Sequence, residues 1–302
     1  MKRIKIISCI VTAAMILGLA AGCSKTKKVT TESVEKACEA LDYEEYDVDD
    51  LEDGQLEPGD IDDGIYVVID GDDIEDLADE NEASVSSIGL DEVLEADDVE
   101  SAALFIKGDG LEDFADDVDG LQDIENLADA EFELIIGMQA TLKDDDKVED
   151  IMDYLEDMLD EYDLDVDDLT AQEYYRSKTE GYLKFNIDIQ ELWAIAQEND
   201  DMMDLLEEAD MEDQIEDLFD SVSGNICVSY QISGNNLIVV IGAAFNSKGD
   251  SLNDMCSKLG IDNPSKLKTN EVFAEGIIDS LMSNVAKYMS YAYAAEAEYN
   301  GF

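Results

Sequence analysis

The apolar positions of this chain change period along its length, which places helices and strands before any other property is considered. A helical repeat begins near Thr31, with apolar residues at i, i+3, i+4 and i+7: Val34, Ala37, Cys38 and Leu41. Between Glu131 and Leu142 the apolar positions alternate with polar ones, interrupted only by Ile135 and Gly137. This alternation predicts a strand with one buried and one wet face, as in an antiparallel sheet with helices on one side.

Further elements follow from the same patterns. Apolar runs predict strands at 65–69, 102–106, 181–188, 224–233 and 237–246. The Gly234–Asn236 segment predicts a hairpin turn between the last two. Helical spacing predicts helices at 45–52, 74–78, 148–162 and 270–293, with short helical pieces within 108–128. The chain therefore alternates helices with strands.

The second half repeats the order of the first. EYDVDDLE at 45–52 recurs approximately at 161–170, and the strand and helix from Glu133 resemble those from Leu237. Gly137 then matches Gly242. We expect an α+β fold of two related α-β-α-β-β-α units, with mainly antiparallel sheets covered by helices. The alternative is a chance likeness between two segments rich in Asp, Glu and Leu.

The charge is strongly negative and unevenly distributed. The chain has 78 acidic and 18 basic residues, a net charge of −60, with 45% hydrophobic residues. Periodic apolar residues at that fraction favour a folded protein over disorder. The surface repels nucleic acid, so we expect no nucleic-acid partner, and it holds the body away from anionic lipid. We expect an acidic unit at 32–160 and a second unit at 161–302 with near-neutral C-terminal helices.

Common catalytic and cofactor motifs are missing from the sequence. There is no histidine, which excludes Ser-His-Asp and Cys-His activation and every histidine-containing zinc site. Gly108-Asp109-Gly110 lacks the third glycine of a dinucleotide loop. Cys38, Cys227 and Cys256 are odd in number and have no C-x-x-C spacing, so we expect neither a disulfide framework nor a zinc site. Cys38 and Cys256 lie on apolar faces of predicted helices, so we expect these thiols to be buried. The sequence predicts no enzyme activity and no cofactor.

Acidic clusters and aromatic residues leave alternatives open. Segments 70–73 and 144–146 are rich in Asp and offer loose sites for divalent cations, although acids also favour helix starts. No EF-hand pattern is complete, and we expect no dedicated metal site. Trp193 and the C-terminal tyrosines at 288, 291 and 299 suit either a core stripe or the stacking of sugars or peptides.

The first 23 residues have the three parts of an export signal. Basic residues at 2, 3 and 5 precede an apolar run of 16 residues, 6–21, which is shorter than the ~20 residues of a membrane span. Leu19-Ala20-Ala21-Gly22-Cys23 then resembles the lipobox of bacterial lipoproteins. The alternatives are a plain secretory signal and a short uncleaved anchor.

The lipoprotein resemblance implies how the chain is processed and where it is located in the cell. It implies that residues 1–22 are removed, that Cys23 carries a diacylglycerol and a fatty acid such as palmitate, and that 23–31 is a tether. Two acyl chains anchor stably where one does not, so we expect a lipid-anchored protein on the extracytoplasmic face of the cell membrane.

The mature region resembles acidic lipoproteins of anaerobic Gram-positive bacteria, a group that brings no known activity with it. We expect a non-enzymatic interaction or structural module with a protein or cell-envelope partner. The alternatives are a solute-binding lipoprotein of a transporter, which needs two doubly wound lobes, and an acidic surface module that loosely binds divalent cations.

Overall fold

One eight-stranded sheet organises the chain. The computed structural model describes residues 33–46, 58–71, 73–74, 96–110, 131–144, 147–160, 164–199, 202–204, 206, 212–276 and 278. The strands lie in the order β1-β2-β3-β4-β8-β7-β6-β5. Their bounds are Glu44–Glu45 (β1), Ile65–Asp70 (β2), Val99–Asp109 (β3), Phe132–Leu142 (β4), Tyr174–Arg176 (β5), Glu180–Asp188 (β6), Gly224–Ser233 (β7) and Asn236–Phe245 (β8).

All neighbouring strands are antiparallel except β1 and β2, which are parallel. The helices that accompany the strands include Val34–Ala40 (α1), Pro58–Asp63 (α2), Lys147–Asp160 (α3), Ile189–Ala196 (α4), Glu212–Ser221 (α5) and Asp250–Leu259 (α6), and residues 271–276 are helical as well. The α+β expectation with a mainly antiparallel sheet is therefore confirmed.

Both faces of the sheet are covered by helices. On β8, Leu237 and Val239 point to one face and Ile238 and Val240 to the other, because successive strand residues alternate. The first face packs against α3, α4 and α5. The second face packs against α1 and α6. The sheet is therefore the middle layer of three.

The expectation of a wet face on β4 is wrong. Glu133 is 3% exposed and Ile135 is fully buried, although both point away from the face that carries Met138 and Leu142. The reason is that β4 lies at the centre of the sheet, where α1 and α6 cover the face opposite α3. Alternation on a central strand thus separates two buried surfaces.

Most predicted elements agree with the observed ones within two or three residues. β3 is longer than predicted, and Glu45 lies in strand β1 rather than in a helical turn. The Gly234-Asn235 turn joins β7 to β8, with Gly234 at φ +59°. Most of the predicted 45–52, 74–78, 108–128 and 270–293 helices lies outside the described residues.

The first four strands come from the first half of the chain and the last four from the second. The two halves meet where β4 pairs with β8, and Ile136 lies opposite Ile241 at the middle of that contact. All eight strands form one continuous sheet.

The chain closes the free edge of β6 where β5 ends. Thr269 forms a parallel bridge with Asn186, and its Oγ1 accepts a hydrogen bond from Asp188 N at 2.9 Å. Beyond it, Phe273 packs on Phe185 with ring centroids 4.8 Å apart, in the core of the first face. The segment therefore passes around the sheet edge and covers backbone that would otherwise pair with another chain.

Candidate functional site

The second face has a groove between α1 and α6. It has a volume of about 360 Å³ and two lysines at its rim, Lys36 and Lys258. The other lining residues are small: Ser33, Ala37, Ala40, Ser257 and Gly260. Lysine ammonium and serine hydroxyl groups are hydrogen-bond donors, so the groove suits an anionic group more than an apolar one.

Two side chains of β4 hold the helices that form the groove. Gln139 Oε1 accepts a hydrogen bond from Val34 N at 2.7 Å, at the start of α1. Glu133 accepts from the backbone N–H groups of Ser251 and Leu252 at 3.2 Å, in the first turn of α6. Helix N-termini carry unpaired N–H groups and a partial positive charge, which an acceptor satisfies. Glu133 and Gln139 are six residues apart on β4, which is about 20 Å of extended strand. The strand thereby fixes the starts of both helices.

Four polar side chains lie buried on the same face of β6 and β7: Lys184, Asn186, Ser229 and Gln231. The ammonium of Lys184 lies 4.2 Å from the centre of the Tyr182 ring. Asn186 Nδ2 donates to Leu267 O at 3.0 Å and so holds the 264–270 segment on the sheet. Sequence analysis did not identify these residues, although the alternation of LKFN and SYQI is the signal that marks them.

Ser229 and Lys184 are directly opposite on neighbouring strands, the residue types of a serine–lysine nucleophile pair. The Ser229 hydroxyl is fully buried and has no hydrogen-bond partner, and Lys184 is 3% exposed. A nucleophile must reach its substrate, and neither side chain does so in this arrangement. The pair therefore belongs to the interior of the second face.

The three described cysteines are buried, as the sequence predicts for Cys38 and Cys256. Burial raises the pKa of the Cys38 thiol and of the Cys256 thiol to about 12, and it raises the pKa of Cys227 as well. The thiolate is the nucleophile and the metal ligand, so these groups stay neutral and unreactive at neutral pH. They act as small apolar side chains of the core.

The remaining predicted positions are dispersed or lie outside the described residues. Asp70, Asp73 and Asp144 are exposed, whereas Cys23, Asp72, Asp145, Asp146 and the C-terminal tyrosines are not described. Trp193 is 5% exposed and stacks on Phe219 with ring centroids 4.9 Å apart. No group of three His, Cys, Asp or Glu side chains that could hold a metal ion occurs among the described residues.

Comparisons with known proteins give no relative from which a function can be transferred. No protein-family model matches the chain, and neither a curated protein nor a solved structure matches it. Within the described residues, no helix is long and apolar enough to cross a membrane.

Proposed function

We propose that this chain is an extracytoplasmic lipoprotein, anchored by lipid on Cys23, whose folded part is a non-enzymatic interaction or structural module. The observation that carries the proposal is the Leu19–Cys23 segment, which ends a basic and apolar leader on a cysteine. Acyl chains contribute about 0.8 kcal/mol per buried CH₂, so a doubly acylated cysteine holds the protein at the membrane.

A module without catalysis is supported by how the buried polar groups are used. Glu133 and Gln139 bind helix starts, and Asn186 binds a backbone carbonyl of the covering segment. The described thiols are neutral at physiological pH because burial raises their pKa. These groups stabilise the three-layer arrangement, and the exposed surface remains for a protein or cell-envelope partner.

We also infer that the two halves, 32–160 and 161–302, are related units. The strand order is symmetric about the β4–β8 contact, and the matched residues Ile136 and Ile241 pair there directly. The outer strands are less regular: with Gly137 on Gly242, Tyr66 falls on Asn186, so Asp70 and Asp188, which end β2 and β6, are two residues out of register. The helices after β4 and β8 lie on opposite faces, so the duplication requires that one of them changed sides. A crystal structure tests this: β3-β4 should superpose on β7-β8 with Gly137 on Gly242, and a shifted register between these two strand pairs would refute it.

Cys23, directly after the leader, and Cys9, within it, provide a matched test of the anchor. We expect Cys23→Ser to abolish incorporation of a labelled palmitate analogue and to release the protein from the membrane fraction. Cys9→Ser changes a cysteine in the apolar run and leaves the lipobox intact, so labelling and fractionation should stay as in the native chain.

The two variants also distinguish the lipid anchor from a plain secretory signal and from an uncleaved leader. Equal labelling of the native chain and Cys23→Ser, or a native protein that fractionates as a soluble polypeptide, would refute the lipid anchor. A native protein that remains in the membrane without label would instead indicate an uncleaved leader.

A further inference from the structure

The two helical layers of the molecule differ in charge. On the first face, α3, α4 and α5 together carry twelve acidic residues and one basic residue, a net charge of −11. On the second face, α1 and α6 carry four acidic and two basic residues, a net charge of −2. The segments that flank α6, 246–249 and 260–268, add one acidic and three basic residues, which brings the total to zero. The sheet therefore separates a strongly anionic layer from a neutral one.

The lysines of the neutral layer are accessible. All five are exposed, and four of them lie on α1, α6 and the segment after α6: Lys36, Lys258, Lys266 and Lys268. We call these four residues the lysine face. The Leu267 carbonyl, between the last two, is held by Asn186 Nδ2, so the segment that presents them is fixed to the sheet. Lys36 and Lys258 border the groove between α1 and α6.

The tether enters the fold on this same side. Ser33, the N-cap of α1, follows Cys23 by ten residues, so a fully extended tether places it within about 35 Å of the anchored sulfur. The tether also carries Lys25, Lys27 and Lys28. The first described element after the anchor therefore belongs to the neutral layer.

We propose that the lysine face is the side turned toward the membrane, where its lysines contact the phosphates of anionic lipid headgroups. The inference rests on the proposed lipid anchor. The whole body is repelled by an anionic bilayer, but the potential of such a surface decays over roughly 10 Å. Once tethered, the molecule has its lowest electrostatic energy with the −11 layer farthest from the lipid. The groove, with lysine and serine donors, accepts a phosphate.

Amine footprinting of the mature lipidated protein on vesicles tests the orientation. The protein is bound to phosphatidylcholine vesicles with and without phosphatidylglycerol, and acetylation of each lysine is compared with its rate in detergent. We expect several-fold slower acetylation of all four lysines of the lysine face on the phosphatidylglycerol vesicles only. Lys147 on α3 and Lys178 between β5 and β6 should keep their rates.

A pair of variants controls for anchoring and folding. Lys36→Glu combined with Lys258→Glu should float with the vesicles as before but lose the protection of Lys266 and Lys268. Lys178→Glu adds an acid away from the lysine face and should leave that protection unchanged. All three positions are exposed, and the fluorescence of the single tryptophan, Trp193, reports that the fold is retained.

The outcomes distinguish this inference from the proposed function. Protein that floats with uniform acetylation of all lysines would overturn the orientation and leave the anchor standing. Protein that does not float with either vesicle would overturn the anchor and, with it, the orientation. Equal protection on vesicles with and without phosphatidylglycerol would also contradict the inference, because the contact would not depend on lipid charge.

Discussion

At the residue scale, Glu133 has a role that the alternation of β4 does not predict. Alternation places it opposite the apolar face of β4, where an acid ordinarily meets water. It is instead 3% exposed and accepts two hydrogen bonds from the start of α6. A carboxylate is retained in this interior because two backbone N–H groups and a helix terminus satisfy it.

Removal of this acceptor should destabilise the protein. We expect Glu133→Ala to lower the free energy of unfolding by about 2 kcal/mol, because two buried N–H groups lose their partner. Glu133→Gln keeps one acceptor oxygen and should cost about half as much. Glu131→Ala changes an exposed acid just before β4 and should have an effect below about 0.5 kcal/mol. Urea unfolding followed by Trp193 fluorescence measures all three, and a Glu133→Ala variant as stable as the native protein would refute the capping role.

The buried thiols give stability a dependence on alkaline pH. Burial raises the pKa of Cys256 from 9.0 to about 12. Because the pKa is higher in the folded state, stability is complete below about pH 9 and is lost as pH rises toward 12.

We expect unfolding free energy to fall between about pH 7.5 and about pH 10, by up to about 1.4 kcal/mol per pH unit for each thiol above pH 9. Cys256→Ala removes one thiol, so its loss over the same interval should be smaller by about 1 kcal/mol, whatever its stability at neutral pH. Urea unfolding at both pH values measures the difference. Identical losses in the native chain and the variant would show that Cys256 does not titrate as described.

At the element scale, Gly137 allows two strands and a ring to approach closely. A Cβ at this position would lie 2.3 Å from Phe105 Cε1 and 2.8 Å from the carbonyl oxygen of Val239. Glycine in a strand weakens it unless something needs the space, and here the ring of Phe105 on β3 occupies it. The aromatic ring and the missing side chain thus form one packing unit of the second face.

This unit predicts non-additive mutations. Gly137→Ala should destabilise the protein by about 2 kcal/mol through overpacking. The smaller side chain of Phe105→Leu makes room for the added methyl group. The double variant should therefore lose about 0.5–1 kcal/mol less unfolding free energy than the two single variants lose in sum. Gly234→Ala is the matched control, since its cost of about 1 kcal/mol comes from its positive φ and should add to Phe105→Leu. Additive effects of Gly137→Ala and Phe105→Leu would contradict this packing.

Most strands and helices could be predicted from period alone, whereas their partners could not. The 131–142 alternation gave the correct strand, and the Gly234-Asn235 turn gave the correct hairpin. The same alternation led to the wrong expectation that one face of β4 is exposed to solvent. A period of two distinguishes the two sides of a strand but does not show what covers each side. In a sequence pattern, Gln139 and Lys184 are both simply polar residues. The three-dimensional packing around them is needed to show that Gln139 binds the start of α1 and that Lys184 is buried.

At the scale of the whole molecule, charge is the dominant property. With a net charge of −60, the folded state concentrates like charges that the unfolded chain keeps farther apart. The sequence predicts this total but not its division between faces, since that depends on which helices share a layer. The candidate groove is absent from sequence patterns for the same reason, because α1 and α6 are about two hundred residues apart along the chain.

Salt should therefore stabilise the fold. Between about 0.01 M and about 1 M NaCl the Debye length falls from ~30 Å to ~3 Å, and we expect the unfolding free energy to rise by on the order of 1 kcal/mol or more. The rise should be gradual. Addition of low-millimolar CaCl₂ at constant ionic strength should add little, and a saturating stabilisation would instead support the cation-binding alternative. A urea midpoint that stays flat or falls with NaCl would contradict the account of self-repulsion.

The mass of the N-terminal peptide, measured on protein extracted from its native membrane, tests the central claim most directly. The account predicts a chain that lacks residues 1–22 and begins at Cys23, with a diacylglycerol joined to its sulfur by a thioether. A free thiol at Cys23, or a peptide that still carries residues 1–22, would contradict it.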